Sequence, residues 1–291
     1  MKIRLFVACL IVSLTASCGG DRPDIVIGSK NFSESVLLGE MLAQHIESRT
    51  ELSVGRTLNL GGTFICHQAM LSGDLDIYPE YTGTALTAIL EKPVMHDRDA
   101  VFEEVESTYR SEFDLQWMKP FGFNNTYAMV VRAEDAERDG LRTISDFARV
   151  IADRTIGFSF EFAEREDGYQ GFVKTYGLTF NGEPKTVDLA LIYRALRDGQ
   201  IDLGVGNSTD GMIQSLNLVI LEDDRSYFPP YDAAAVVRQA ALDRFPELQA
   251  VVDELGGLFS EAEMQQANVD IDGNHIPIAK VAADLLATKG L

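Results

Sequence analysis

The sequence predicts an α/β protein made of two similar halves that face each other across a cleft. Three observations carry that expectation. Short apolar strands alternate with amphipathic helices along most of the chain, and one unit of helix, glycine, strand and polar loop occurs twice. A length of 291 residues is enough for two α/β domains or one large one.

The N-terminus is set apart from this pattern. Lys2 and Arg4 precede an apolar run from Leu5 to Leu14, and small residues lead on to Cys18. Residues 1–17 read as a secretory signal peptide, because the apolar run falls well short of the ~20 residues a membrane span needs. Thr15-Ala16-Ser17-Cys18 resembles the bacterial lipobox, with Thr15 where Leu or Val is usual. Cys18 is therefore the expected lipidation site, and 18–24 a lipid-anchored tether. Cys9 leaves with the signal, so Cys66 has no partner for an internal disulfide. In the apolar run FICHQAM it reads as a small buried residue and not as a nucleophile.

From residue 24 the elements follow in order. DIVIGS is the first strand, and Ser33 opens a helix whose Val36, Leu37, Met41, Leu42 and Ile46 keep helical spacing. VGRTLNL is a second strand, GGT a turn, FICHQAMLSG a helix stopped by Gly73, and DLDIY (74–78) a third strand. LQWMK, YAMVV, TIGFSF, IDLGVG, LVIL and AAAVV read as further strands, with helical patterns at 165–176 and 188–198. The tail from Asp243 to Leu291 is mainly helical. Strands alternating with helices predict a mostly parallel sheet.

The repeated unit is AMLSGDLDIYPEYTGT from Ala69, which aligns without a gap on ALRDGQIDLGVGNSTD from Ala195. Gly73 matches Gly199, Leu75 matches Ile201 and Asp76 matches Asp202. Tyr81 and Asn207 then hold equivalent loop positions. Ligands of open parallel sheets bind beyond the carboxyl ends of the strands. SKNF, GGT, PEYTGT and GNSTDG all lie at such ends and should converge on one cleft between the halves.

Composition narrows the function. The chain has 25 basic and 45 acidic residues, a net charge of −20, which argues against nucleic acid or an anionic membrane surface as a partner. His45, His67, His96 and His275 are scattered, with no HExxH or Cys/His ligand spacing, so no metal site is expected. DIDGN at 270–274 resembles part of a calcium loop, but its glycine comes too early and the closing Glu is missing. Neither a Gly-x-Ser-x-Gly elbow nor a phosphate loop is present, so an exported enzyme on this scaffold is disfavoured and no cofactor is implied.

The loops offer Tyr81, Tyr127 and Tyr231 as aromatic faces, Lys30 and Arg165 as positive groups, and Thr84 as a hydroxyl. Ring faces attract a cation that cannot donate hydrogen bonds, at about 0.5–2 kcal/mol per good contact. Lys, Arg and a helix N-terminus suit a carboxylate. A trimethylammonium carboxylate has both ends, although composition alone does not select it.

At these loops the sequence resembles the substrate-binding proteins of osmoprotectant ABC importers, the glycine betaine and choline family. The matching stretches are IVIGSKNFSE, LGGT, GDLDIYPEYTGTAL, FGFNNTYAMVV, EFAEREDG, LIYRALRDGQIDL and STDGMI, in order over residues 25–291. The resemblance implies a type 2 periplasmic binding protein fold with two crossovers, near 119–126 and 222–231. Lobe 1 would be 25–120 plus 231–291 and lobe 2 would be 121–230. It also implies that Lys30 and Arg165 bind the ligand's carboxylate with Thr84 beside them, and that Tyr81, Tyr127 and Tyr231 are walls of an aromatic box. The fourth wall, usually a Tyr just before STDG, is Asn207 here, so choline, carnitine or another small solute stays open as the ligand. The implied protein is a monomeric extracytoplasmic receptor, lipid-anchored through Cys18, that delivers an osmolyte to a membrane permease. Trp117, the single tryptophan, lies near the first crossover and is expected to report closure.

Overall fold

The structure is a computed structural model that describes residues 22–165 and 167–291. The signal segment 1–17 and Cys18 lie outside the described residues. The strands are β1 Ile25–Lys30, β2 Val54–Gly61, β3 Ile77–Tyr81, β4 Leu115–Trp117, β5 Tyr127–Arg132, β6 Ile156–Phe158, β7 Lys185–Thr186, β8 Leu203–Asn207, β9 Leu218–Leu221 and β10 Ala233–Arg238. They form two five-stranded sheets, ordered β2-β1-β3-β10-β4 and β7-β6-β8-β5-β9.

The two orders are the same plan. In each sheet, parallel strands are followed by one strand that has arrived from the other half: β10 runs antiparallel to β3 and β4, and β5 runs antiparallel to β8 and β9. Both sheets are therefore mixed, which corrects the expectation of a mostly parallel one. A chain that crosses at the cleft enters the next sheet from the end where the parallel strands stop, so it must run against them. The crossings fall between Trp117 and Tyr127 and between Leu221 and Ala233.

Period-two alternation sorts each inner strand between two helical layers. Ile25 and Ile27 of β1 pack with Leu37, Leu38, Met41 and Leu42 of helix α1 (Ser33–Arg49). Val26, between them, points to the other face and packs with Cys66 and Met70 of helix α2 (Thr63–Ser72). Each such aliphatic side chain contributes about 1.5–3 kcal/mol when fully buried. Cys66 is buried here, as its apolar neighbours predict, and burial pushes its thiol up to about 12.

The repeat is realised in three dimensions. Gly73 and Gly199 both end a helix at positive φ, 81° and 67°, the left-handed conformation that glycine adopts without strain. Asp76 Oδ2 accepts the Val26 N–H at 2.9 Å and faces Arg238, while Asp202 Oδ2 accepts the Thr155 N–H at 2.9 Å and faces Arg132. Each Asp thus fastens its strand to a neighbour and to the arginine that ends the crossing strand.

Two element boundaries differ from expectation. The third strand runs through Pro79, Glu80 and Tyr81 instead of stopping at Tyr78. Proline is tolerated there because β1 meets β3 only at Ile27 and Ile77, leaving the β1 side of Pro79 unpaired. The helix expected over 165–176 is two helices, Phe160–Glu164 and Tyr169–Tyr176. Arg165 leaves the helical region (φ −80°, ψ 151°) and turns its guanidinium to Asp167. The C-terminal helices pack on α1 and also reach the second half, where Asn268 Nδ2 donates to the Thr209 carbonyl at 2.9 Å and Gln265 Nε2 to the Ser208 carbonyl at 2.9 Å.

Candidate ligand-binding site

A cavity of about 290 Å³ lies where the parallel strands of both sheets end. Lys30 closes β1, Tyr81 closes β3, and Thr84 sits in the short helix Thr82–Thr84 that follows. From the second sheet come Arg165 beyond β6, Asn207 at the end of β8 and Tyr127 at the start of β5. Tyr231 precedes β10. All seven residues singled out from sequence line this one cavity.

The rings are held from behind. Tyr127 meets Tyr231 edge to face, with centroids 5.6 Å apart at 82°, and packs on Phe162 and Phe228. Tyr81 rests near Phe32, which also lines the cavity, with centroids 6.0 Å apart. Gly83 allows the Tyr231 ring to approach, since a Cβ there would stand 2.8 Å from two ring carbons. Edge-to-face pairs contribute about 0.5–1.5 kcal/mol beyond area burial, so the tyrosines are fixed as surfaces.

Tyr81 is oriented by a carboxylate that sequence did not reveal. Its hydroxyl donates to Glu34 Oε1 at 2.8 Å, and the same carboxylate accepts from Asn125 Nδ2 at 2.7 Å and Asn268 Nδ2 at 3.1 Å. Burial raises the Glu34 carboxyl above its ordinary range, and these hydrogen bonds offset part of that rise. Glu34 therefore ties α1, the first crossing and the C-terminal helices to one wall of the cavity.

Both cationic side chains already hold acids. Lys30 Nζ donates to Glu80 Oε1 at 2.5 Å, with both side chains buried, and lies 5.1 Å from the Tyr81 centroid. Arg165 grips Asp167 through Nε at 2.8 Å and Nη2 at 2.5 Å, and its Nη2 reaches Thr87 Oγ1 at 3.2 Å across the cleft. Its Cζ is 5.5 Å from the Tyr127 centroid. Burial would raise the Asp167 carboxyl, but the Arg165 charge and hydrogen bonds from Arg165, Tyr231 and Thr87 outweigh it and hold the group low. The Tyr231 hydroxyl donates to Asp167, so one acid fixes both a cation and a ring.

Asn207 stands differently. Its backbone N–H donates to Asp210 Oδ2 at 3.1 Å and to the Tyr193 hydroxyl at 3.2 Å, but among the described residues its side-chain amide has no hydrogen-bond partner. Sequence reasoning also missed Phe160 and Glu161, which line the cavity just after the Ser159 cap. Reading TIGFSF as a strand to its end hid Phe160, and Glu161 follows it directly. Trp117 is not among the lining residues. It is buried against Tyr109 and Phe102 in the core of the first half, which removes it from the cleft. Among the described residues no cluster of three His, Cys, Asp or Glu is placed to hold a metal ion.

Residues 23–288 match the family described as the substrate binding domain of ABC-type glycine betaine transport systems. The carnitine transport binding protein OpuCC of Listeria monocytogenes is 37% identical over 294 residues, covering 98% of this chain and 95% of that protein. The glycine-betaine-binding protein of Pseudomonas aeruginosa is 35% identical over 294 residues, covering 95% and 94%. A crystal structure of a glycine betaine/carnitine/choline ABC transporter protein superposes with a TM-score of 0.76 at 35% identity, over 91% of this chain and 98% of the other.

Proposed function

Because the chain belongs to the family of substrate-binding domains of ABC-type glycine betaine transport systems, we propose that it is the solute receptor of an importer, capturing a quaternary-ammonium osmolyte such as glycine betaine between its lobes. It is a binding component of a transporter and works with a permease in the membrane. The observation that carries the ligand class is the convergence of Tyr81, Tyr127 and Tyr231 with Lys30, Arg165 and Thr84 on one cavity. In this reading the rings take the trimethylammonium group, and Arg165 with Thr84 takes a carboxylate.

The lobes are residues 25–120 with 231–291 and residues 121–230, and the ligand stabilises their closure about the two crossings. The protein is exported by residues 1–17, held to the membrane by lipid on Cys18, monomeric, and catalyses no reaction. A second reading takes carnitine or choline as the main ligand, and the absent ring at Asn207 is what favours it.

Calorimetric titration of the soluble domain with glycine betaine, carnitine, choline and proline betaine tests the reading. Saturable binding of at least one is expected. If none binds at millimolar concentration while an unrelated sugar or amino acid does, the quaternary-ammonium reading is wrong. Conversion of any of these ligands to a new product would show that the protein is an enzyme.

A further inference from the structure

One cavity carboxylate makes only a long contact with a buried cation and holds no ring. Glu161 Oε1 accepts a hydrogen bond from Thr63 Oγ1 at 2.9 Å, across the cleft from the first turn of α2. Its Oε2 lies against Gly62, 3.4 Å from where a Cβ would stand. Arg165 Nη1 is 3.4 Å from Oε1. The other two nitrogens of Arg165 are bound to Asp167, and Lys30 is bound to Glu80. Nη1 is therefore the edge of the Arg165 fork that Asp167 leaves open, and Glu161 faces it.

We infer, resting on the quaternary-ammonium reading above, that Glu161 determines specificity in this cleft by standing where a ligand's carboxylate would otherwise stand. The 3.4 Å contact is longer than the about 2.7–2.9 Å of a strong charge-assisted hydrogen bond, and the Glu161 side chain is 34% exposed, so it can swing away. A zwitterionic ligand must drive that swing, because two carboxylates at one N–H edge repel, and it forfeits the Thr63 bond between the lobes. A quaternary ammonium cation without a carboxylate leaves Glu161 in place and gains a nearby counter-charge. Glu161 thus biases the site toward cations such as choline and taxes betaines.

The test is parallel titration of wild type and Glu161→Gln with glycine betaine and choline. Gln keeps the length and can still accept from Thr63, but carries no charge. The glycine betaine to choline affinity ratio should rise about tenfold, the order expected when one close like charge is removed. Glu161→Ala should shift the ratio the same way. A ratio unchanged or lowered in both variants, with wild type binding either ligand, overturns the role of Glu161 alone. A wild type that binds neither quaternary ammonium compound sinks the underlying reading and the inference with it.

Discussion

Tyr127 and Asn207 are register partners on the adjacent antiparallel strands β5 and β8, and both line the cleft cavity. Paired residues project from the same face of a sheet, so the two side chains stand side by side at the cleft. In the first half the matching pair is Ala233 and Tyr81. Each half thus offers one ring at this joint, but from opposite members of the pair: Tyr81 from the repeated strand, Tyr127 from the crossing strand. The repeated strand has no ring at Asn207, and the crossing strand supplies one next to it.

Asn207→Tyr should therefore add a second ring in the second half without breaking a bond, since the Asn207 amide is unpartnered among the described residues. One added cation-π contact is worth about 0.5–2 kcal/mol, which corresponds to roughly twofold to thirtyfold tighter binding of a trimethylammonium ligand. Calorimetry reads this directly. Unchanged or weaker affinity would mean that the space beside Tyr127 accommodates a ligand substituent which the new ring displaces.

Asp167→Ala should destabilise the fold strongly. Arg165 and Asp167 are 2% and 0% exposed at the side chain, and removing the acid leaves a buried guanidinium with only Thr87 and the more distant Glu161. Breaking such a pair from one side costs about 3–5 kcal/mol. Urea denaturation followed by circular dichroism measures it, and a loss under about 1 kcal/mol would show that water or Glu161 takes over the charge.

The sequence was most legible where chemistry is local. Gly73 and Gly199 signal helix stops because few other residues accept positive φ, and the strand that follows each is apolar and short. Tyr81, Thr84, Lys30 and Arg165 were reachable through motifs at strand ends, where ligand loops of α/β sheets gather. The acids behind them were not. Glu34 serves Tyr81, Asn125 and Asn268, partners far apart in sequence, and an isolated Glu in an amphipathic helix reads as a solvated charge. Asp167 is two residues from Arg165 and Glu80 is fifty from Lys30, and nothing in EYTGT or EREDG says that their side chains turn inward. Strand direction was equally hidden, because β5 and β10 have the apolar pattern of any buried strand and only the crossing of the chain reverses them.

Asp210 gives a pH dependence with a definite sign. Burial pushes its carboxyl up to about 7 although the Tyr193 hydroxyl and the Asn207 N–H both donate to it, and the charges of Glu34 and Asp272 add to the rise. The unfolded chain releases this proton near pH 4, whereas the folded protein keeps it to about pH 7. Across that window the folded state binds more protons, so this group's contribution to stability falls as pH rises and is level above it. Asp210→Asn removes the slope, and its carbonyl oxygen can still accept from Tyr193 and Asn207. Thermal unfolding of both proteins between pH 4 and pH 8 should show the variant's advantage in Tm growing by several degrees up to about pH 7 and then holding. A difference that stays constant, or shrinks with pH, would mean that Asp210 is ionised throughout and that the Asn207 loop is held by a charged acid.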